Sequence, residues 1–535
     1  MSLGTVGENL TRRRTVLVVA VTLAGAGAVA ATAYGRTGQA HRPAPAVRPA
    51  PTTARAAAVP PRPGPPTTTL PGPSTPPAPA AGTSTTVALP APPPLGWSPC
   101  GAGRQCSTLV VPVDYGRPGA AQIGIALRRR PASDPAHRIG SLVLNPGGPG
   151  ESGIAKLDTD VALLPADVLA RFDVVAFDPR GIGGSDPLHC AGDTYAGPTP
   201  DPDPQTADAQ RVLLDADRAY ADACGRAGGD LLAHLGTADV ARDLDELRAA
   251  LGDARLTYLG LSYGTFLGSQ YAGMFPTHVR AMVLDGALDP SLPTDALANA
   301  QAQGFERSLA AFLSWWRPDG GGRAAFDAVV TSVRARPLRV GARQVGPAEL
   351  YTGVFGTLYA RSFWPSLARA LAAAAAGNGA PVLGLFDGYE RTGDPTFDTD
   401  TNNAVNCIDH PVPRDPGAFP ARAAAAGAAA PDFGPLFAWG GLMCAVWPVP
   451  DSALRVPAPV HAPGSPPIVV VGTTGDPATP YAWAQSLASQ LSQGVLLTRV
   501  GDDHVALFYS ACVRNWAGAY LVGLQPPPPG TVCRG

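Results

Sequence analysis

Leu256-Thr257-Tyr258-Leu259-Gly260-Leu261-Ser262-Tyr263-Gly264-Thr265-Phe266-Leu267-Gly268 is the stretch on which the reading of this chain turns. Residues 256–259 are short and mostly apolar, as a buried strand is, and Leu267, Tyr271 and Met274 recur beyond the turn at helical spacing. A serine between them, with glycine two positions before and after, reads as a sharp strand-to-helix turn where neighbouring side chains must be absent. Such a turn lifts a nucleophilic hydroxyl above the end of a sheet. The alternative is an ordinary glycine-flanked turn.

The same rhythm extends to both sides. Residues 142–144, 174–177, 281–284, 468–471 and 495–500 are short apolar runs bounded by Gly, Pro or Asp, and Val240, Leu244, Leu247 and Leu251 mark a helix leading into the strand at 256. Strands alternating with helices predict an α/β fold with a mainly parallel sheet. Between about 291 and 455 the rhythm is lost to Trp315, Trp316, Trp364, Trp439, Trp447 and the alanine-rich stretches 371–376 and 423–430. That segment is expected to be a mostly helical cap inserted over one end of the sheet. It splits the core into a first part, 97–290, and a C-terminal part, 456–535.

The first 96 residues differ in composition. They carry eight arginines against Glu8 alone, in a chain whose net charge is only −2, and 18 of the 60 prolines fall between Pro43 and Pro94. Residues 1–40, with Arg12-Arg13-Arg14 ahead of an uncharged run from 15 to 35, are expected to be a signal peptide or membrane anchor. Residues 41–96 have the composition of an extended, disordered Pro-rich linker. The near-neutral balance excludes a strongly basic nucleic-acid binder, and 45% apolar residues exclude a wholly disordered chain. Membrane contact is expected only through the N-terminal segment, with an extracellular or envelope location.

All eight cysteines follow the linker: Cys100, Cys106, Cys190, Cys224, Cys407, Cys444, Cys512 and Cys533. An exported chain favours disulfides over metal binding, and no CxxC pair suggests zinc. Sequential pairing is the expectation, although eight cysteines allow 105 connectivities.

An acyl-transfer serine needs an oxyanion hole, a base and an acid. One oxyanion donor would be the Tyr263 N–H, and the other is assigned to Gly148 in the glycine-rich run 145–153 after the strand at 142. A phosphate-binding loop there is disfavoured, since the Gly-Lys-Ser/Thr ending is missing and Lys156 is the only lysine. The base is expected late in the chain, and His504 alone lies in a loop beyond what reads as the sheet's last strand. Asp476, in the loop after 468–471, is the expected acid, with Asp285 the runner-up. No cofactor and no metal are expected.

The runs 145–153, 177–185, 260–268, 283–286 and 475–480, in that order, resemble the exported tripeptidyl-aminopeptidase-like members of the proline iminopeptidase family, over roughly residues 97–535. The resemblance implies an α/β-hydrolase fold and a Ser262, Asp476, His504 triad releasing short peptides or single residues from free N-termini. The substrate is then a peptide, and the oligomeric state is left open. A substrate ammonium needs a carboxylate partner: Asp409 and Glu306 are the leading candidates, with Glu349, Asp387 and Glu390 behind them. Asp503 stands where the family usually has glycine, and an acid beside His504 is expected to raise its pKa. Competing functions are a carboxylesterase or lipase on the same triad and a non-catalytic envelope protein.

Overall fold

The computed structural model describes residues 92–190, 199–390 and 396–534. The expected signal or anchor and nearly all of the linker lie outside them. Twelve strands are formed among the described residues: β1 (Ser98–Pro99), β2 (Gln105–Pro112), β3 (Gln122–Arg130), β4 (Gly140–Asn145), β5 (Phe172–Phe177), β6 (Leu256–Leu261), β7 (Val279–Asp285), β8 (Leu338–Val340), β9 (Arg343–Val345), β10 (Ile468–Thr473), β11 (Gly494–Val500) and β12 (Val532–Arg534). Ten of them make one sheet in the order β1-β2-β3-β5-β4-β6-β7-β10-β11-β12. β1, β2 and β3 pair antiparallel, and every pairing from β5 to β12 is parallel.

The parallel strands are apolar on both faces because helices cover both. Val143, Tyr258, Met282 and Val470 point to one side, where they meet Val240, Leu244 and Leu247 of helix Thr237–Ala250 and Leu267 and Tyr271 of helix Tyr263–Met274. Leu142, Leu259, Val283 and Val469, one residue away in each strand, pack on Leu157 of helix Gly153–Val161 and on Val513 and Ala517 of helix Ala511–Gly523. This is the two-sided burial that makes parallel strands read as continuous apolar runs. Met274 departs from expectation: it is half-exposed where the last turn of its helix leaves the core.

Three features were not anticipated. β2 and β3 add an antiparallel edge, and β8 and β9 form a hairpin among the inserted helices. β12 pairs with β11 beyond His504, so β11 is not the last strand of the sheet, as the sequence reading took it to be. The pairing of β12 depends on chain that follows helix Ala511–Gly523, and three residues are too few to show a strand period.

Between β7 and β10 the chain is mainly helical. Helices Thr294–Trp316, Gly322–Ala335, Pro347–Thr357, Trp364–Ala375 and Ala380–Glu390 share a core of Phe305, Phe312, Phe326, Trp364 and Phe433, and Ala478 from the loop after β10 is part of it. Helix Thr399–Asp409 behaves differently. Its Ala404, Val405 and Ile408 pack with Tyr263 and Phe266, inside the sheet-bearing part of the molecule.

Disulfides join Cys100 to Cys106, Cys190 to Cys224, Cys407 to Cys444 and Cys512 to Cys533, and no described cysteine is free. Such a set fits an oxidising compartment. Among the described residues no helix is long and apolar enough to cross a membrane; the apolar run at 15–35 lies outside them.

Candidate active site

Ser262 stands between β6 and helix Tyr263–Met274 with φ 53° and ψ −121°, a conformation that a residue with a Cβ adopts only when its surroundings enforce it. The enforcement is visible. Its N–H donates to the Asp285 carbonyl at the end of β7 at 2.8 Å, and its own carbonyl accepts from the Thr265 N–H at 2.8 Å and Oγ1 at 2.6 Å. A Cβ on Gly260 would lie 2.2 Å from the Gly264 carbonyl oxygen, and one on Gly264 would lie 2.6 Å from the Asn145 carbonyl oxygen. Both glycines are therefore required by contacts as well as by the turn.

Because β4 and β6 are neighbours, with Asn145 opposite Gly260, the loop after β4 arrives beside Ser262. β5 lies on the other side of β4, so the chain direction across the sheet reverses here, where ligands of open α/β sheets bind. Gly147, at φ 109°, has no room for a side chain: a Cβ would sit 2.7 Å from the Leu261 carbonyl oxygen and 3.1 Å from Ser262 Cβ. The Gly147 N–H is taken by Asn145 Oδ1 at 3.1 Å. Among the described residues no hydrogen bond takes the N–H of Gly148 or of Tyr263.

His504 and Asp476 meet in loops after adjacent strands. His504 Nδ1 lies 2.9 and 3.0 Å from the two Asp476 oxygens, and both residues are buried. The carboxylate also accepts from the Ala478 N–H, the Thr479 N–H and Thr479 Oγ1, which fix its orientation. A carboxylate only accepts, so the imidazole proton sits on Nδ1 and Nε2 is left as a base. Among the described residues, His504 Nε2 and Ser262 Oγ are both buried without a hydrogen-bond partner.

Asp285, the runner-up acid, holds the turn that carries His504. Its oxygens accept from the Ala506 N–H at 3.0 Å and the Leu507 N–H at 2.7 Å, and burial pushes its carboxyl up to about 6. Asp503, next to His504 in the chain, is bonded away from it. Its carboxylate pairs with Arg499 at 2.8 Å and accepts the Arg361 N–H at 3.0 Å, so its charge is already matched.

Residues 140–511 match a family model described as alpha/beta hydrolase fold. The chain belongs to the alpha/beta hydrolase family. It is 37% identical over 483 residues to Serine protease Hip1 of Mycobacterium tuberculosis, covering 82% of this chain and 91% of that protein. It is 35% identical over 459 residues to Carboxylesterase B of the same organism, covering 80% and 86%. Tripeptidyl aminopeptidase of Streptomyces lividans is 32% identical over 461 residues, covering 80% and 84%. The chain is a serine hydrolase.

Two expected substrate contacts of this hydrolase are occupied internally. Asp409 is buried, its carboxylate accepts from both the N–H and the hydroxyl of Thr237, and burial pushes it up to about 6. The Thr237 hydroxyl also meets the Tyr263 phenol, so Asp409 braces the residue after the serine and leaves no free carboxylate for an ammonium. Glu306 accepts the Asp432 N–H, and burial together with Asp432 pushes it up to about 7, which weakens it as an ammonium partner. Asp387 is paired with Arg343, and Glu349 caps its own helix through the Gly346 N–H.

The reading of the sequence missed how the inserted segment grips the acid and base loops. The His504 N–H donates to the Tyr359 carbonyl at 2.9 Å, and the Tyr359 ring stands edge-on to the imidazole at 5.5 Å between centroids. Gln301 Nε2 donates to the Ala478 carbonyl at 2.7 Å, and a Cβ on Gly304 would lie 2.3 Å from the Pro477 carbonyl oxygen. These contacts span more than a hundred residues of chain and carry no local motif.

Proposed function

We propose that the chain is an exported serine exopeptidase that releases tripeptides or shorter units from free peptide N-termini. Ser262 attacks the scissile carbonyl while His504 Nε2 takes its proton. The Gly148 and Tyr263 N–H groups stabilise the oxyanion, and His504 returns the proton to the leaving amine. Asp476 holds the imidazole in the needed tautomer and stabilises the imidazolium. Water then repeats the sequence on the acyl-enzyme, restoring Ser262. The observation that carries this reading is the Asp476–His504 pair with an unpartnered Nε2, in a chain whose strained serine sits on the strand-to-helix turn. Similarity to proteins named as a serine protease and a tripeptidyl aminopeptidase over 80% or more of the chain supports peptides as the substrate. The arginine-led apolar run, the Pro-rich linker and the four disulfides support export.

The relative named Carboxylesterase B favours one second reading, an esterase on the same triad. The deciding measurement compares free tripeptidyl anilides, their N-blocked forms and short acyl esters. The exopeptidase reading expects turnover of the free forms to exceed that of the blocked ones by at least about a hundredfold. Equal rates with and without the block reject it.

A further inference from the structure

Helix Thr399–Asp409 is buried from Thr401 to Asp409, yet it carries Asn402, Asn403 and Asn406. Buried amides have to be satisfied, and two of these form a directed chain. Asn402 Nδ2 donates to the Pro149 carbonyl at 2.6 Å, and Asn406 Nδ2 donates to Asn402 Oδ1 at 3.2 Å. The direction is forced, because a backbone carbonyl only accepts: Asn402 must turn its NH2 to Pro149, so its oxygen faces Asn406, which must turn its own NH2 there. Asn406 Oδ1 is left over, a buried acceptor without a partner among the described residues.

The helix places that acceptor. At its start a Cβ on Gly150 would lie 3.0 Å from Asn402 Cβ, so this end abuts the loop after β4. At its finish Asp409 holds Thr237, which meets the Tyr263 phenol. Asn406 is four residues after Asn402 and three before Asp409, on the same helix face. It therefore lies between a contact to the loop that carries Gly148 and a contact, through Thr237, to Tyr263, the residue after Ser262.

We propose that Asn406 Oδ1 accepts the N–H of the substrate residue whose carbonyl Ser262 attacks, an amide in a longer acyl portion and an ammonium where that residue is terminal. This rests on the peptidase reading of Ser262. It makes Asn406 a specificity residue that favours acyl groups bearing a nitrogen over simple acyl esters.

The test uses the full chain and three substrates: a tripeptidyl anilide, the same anilide N-methylated at the attacked residue, and p-nitrophenyl butyrate. Removing the N–H is expected to lower wild-type kcat/KM by about 10- to 100-fold. Asn406→Leu is expected to lose as much on the unmethylated anilide, to be insensitive to methylation, and to keep ester hydrolysis within about twofold. Asn406→Gln retains both an NH2 for Asn402 and a carbonyl acceptor and is expected to keep part of the methylation effect, which guards against a Leu variant that fails to fold. A methylation effect unchanged in Asn406→Leu, or absent from a folded Asn406→Gln, overturns the proposal. So does an equal fall in ester and peptide hydrolysis. Wild type that turns over the ester but neither anilide overturns the peptidase reading instead.

Discussion

Ser262 and the acids near it differ in what each does, and substitution separates them. Ser262→Ala is expected to abolish fluorophosphonate labelling and to lower kcat by at least about 10⁴-fold while the thermal midpoint moves by only a few degrees. Asp476→Asn keeps the shape but leaves an amide NH2 against His504 Nδ1, which turns the imidazole to the wrong tautomer; a fall in kcat of about 10³- to 10⁴-fold is expected. Among the described residues the Asp285 carboxylate hydrogen-bonds only the N–H groups of Ala506 and Leu507. Asp285→Asn is therefore expected to cost about tenfold or less in kcat, and a loss matching that of Asp476→Asn in steady-state assays would reverse the assignment of the two acids. The turn at Ser262 and the pairing of His504 with Asp476 were legible because each residue follows an apolar run that reads as a strand. Asp285 was legible as an acid but not as a brace, since the N–H groups it holds lie 221 and 222 residues away.

Among the elements, the loop after β11 is held from outside by the insertion. Tyr359 and Arg361 of the insertion grip His504 and Asp503, and Arg361 also pairs with Asp502 at 2.8 Å. The last pair is solvent-exposed on both sides, so Arg361→Ala is expected to cost under about 1 kcal/mol in urea unfolding. Asp503→Ala is different: it strands the buried Arg499 guanidinium, and a loss of about 3 kcal/mol is expected in the same measurement. The parallel strands were legible because burial on both faces writes an unbroken apolar run. β3 was not recognised even though Ile123, Ile125 and Leu127 alternate inward, because its other face is only partly covered and ends in Arg128-Arg129-Arg130. Helix Thr399–Asp409 falls in a stretch read only as mostly helical, and its asparagines look like surface residues until the Pro149 carbonyl is placed against Asn402.

Over the whole molecule, burial raises several carboxyls: Asp285 and Asp409 to about 6, Asp160 and Asp398 to about 7, Glu390 to about 8. Each binds a proton in the folded state that the unfolded chain has already released near pH 4, so its stabilisation is complete in acid and is lost as pH rises through the folded value. His410, buried against Phe266 and pushed down to about 3, acts in the opposite sense: its contribution is lost as pH falls below about 6.5. The thermal midpoint is therefore expected to decline from about pH 4 upward, the loss being complete near pH 8, with His410 opposing part of it below about pH 6.5. A midpoint that climbs steadily to pH 8 in a calorimetric series would contradict this. The disulfides have a consequence in time as well as in space. Each bond closes between cysteines that are consecutive in the chain, at separations of 6, 34, 37 and 21 residues. A polypeptide that emerges from a channel N-terminus first presents every correct partner before the next pair appears, so an oxidant that joins cysteines in order of arrival makes the native set with no reshuffling.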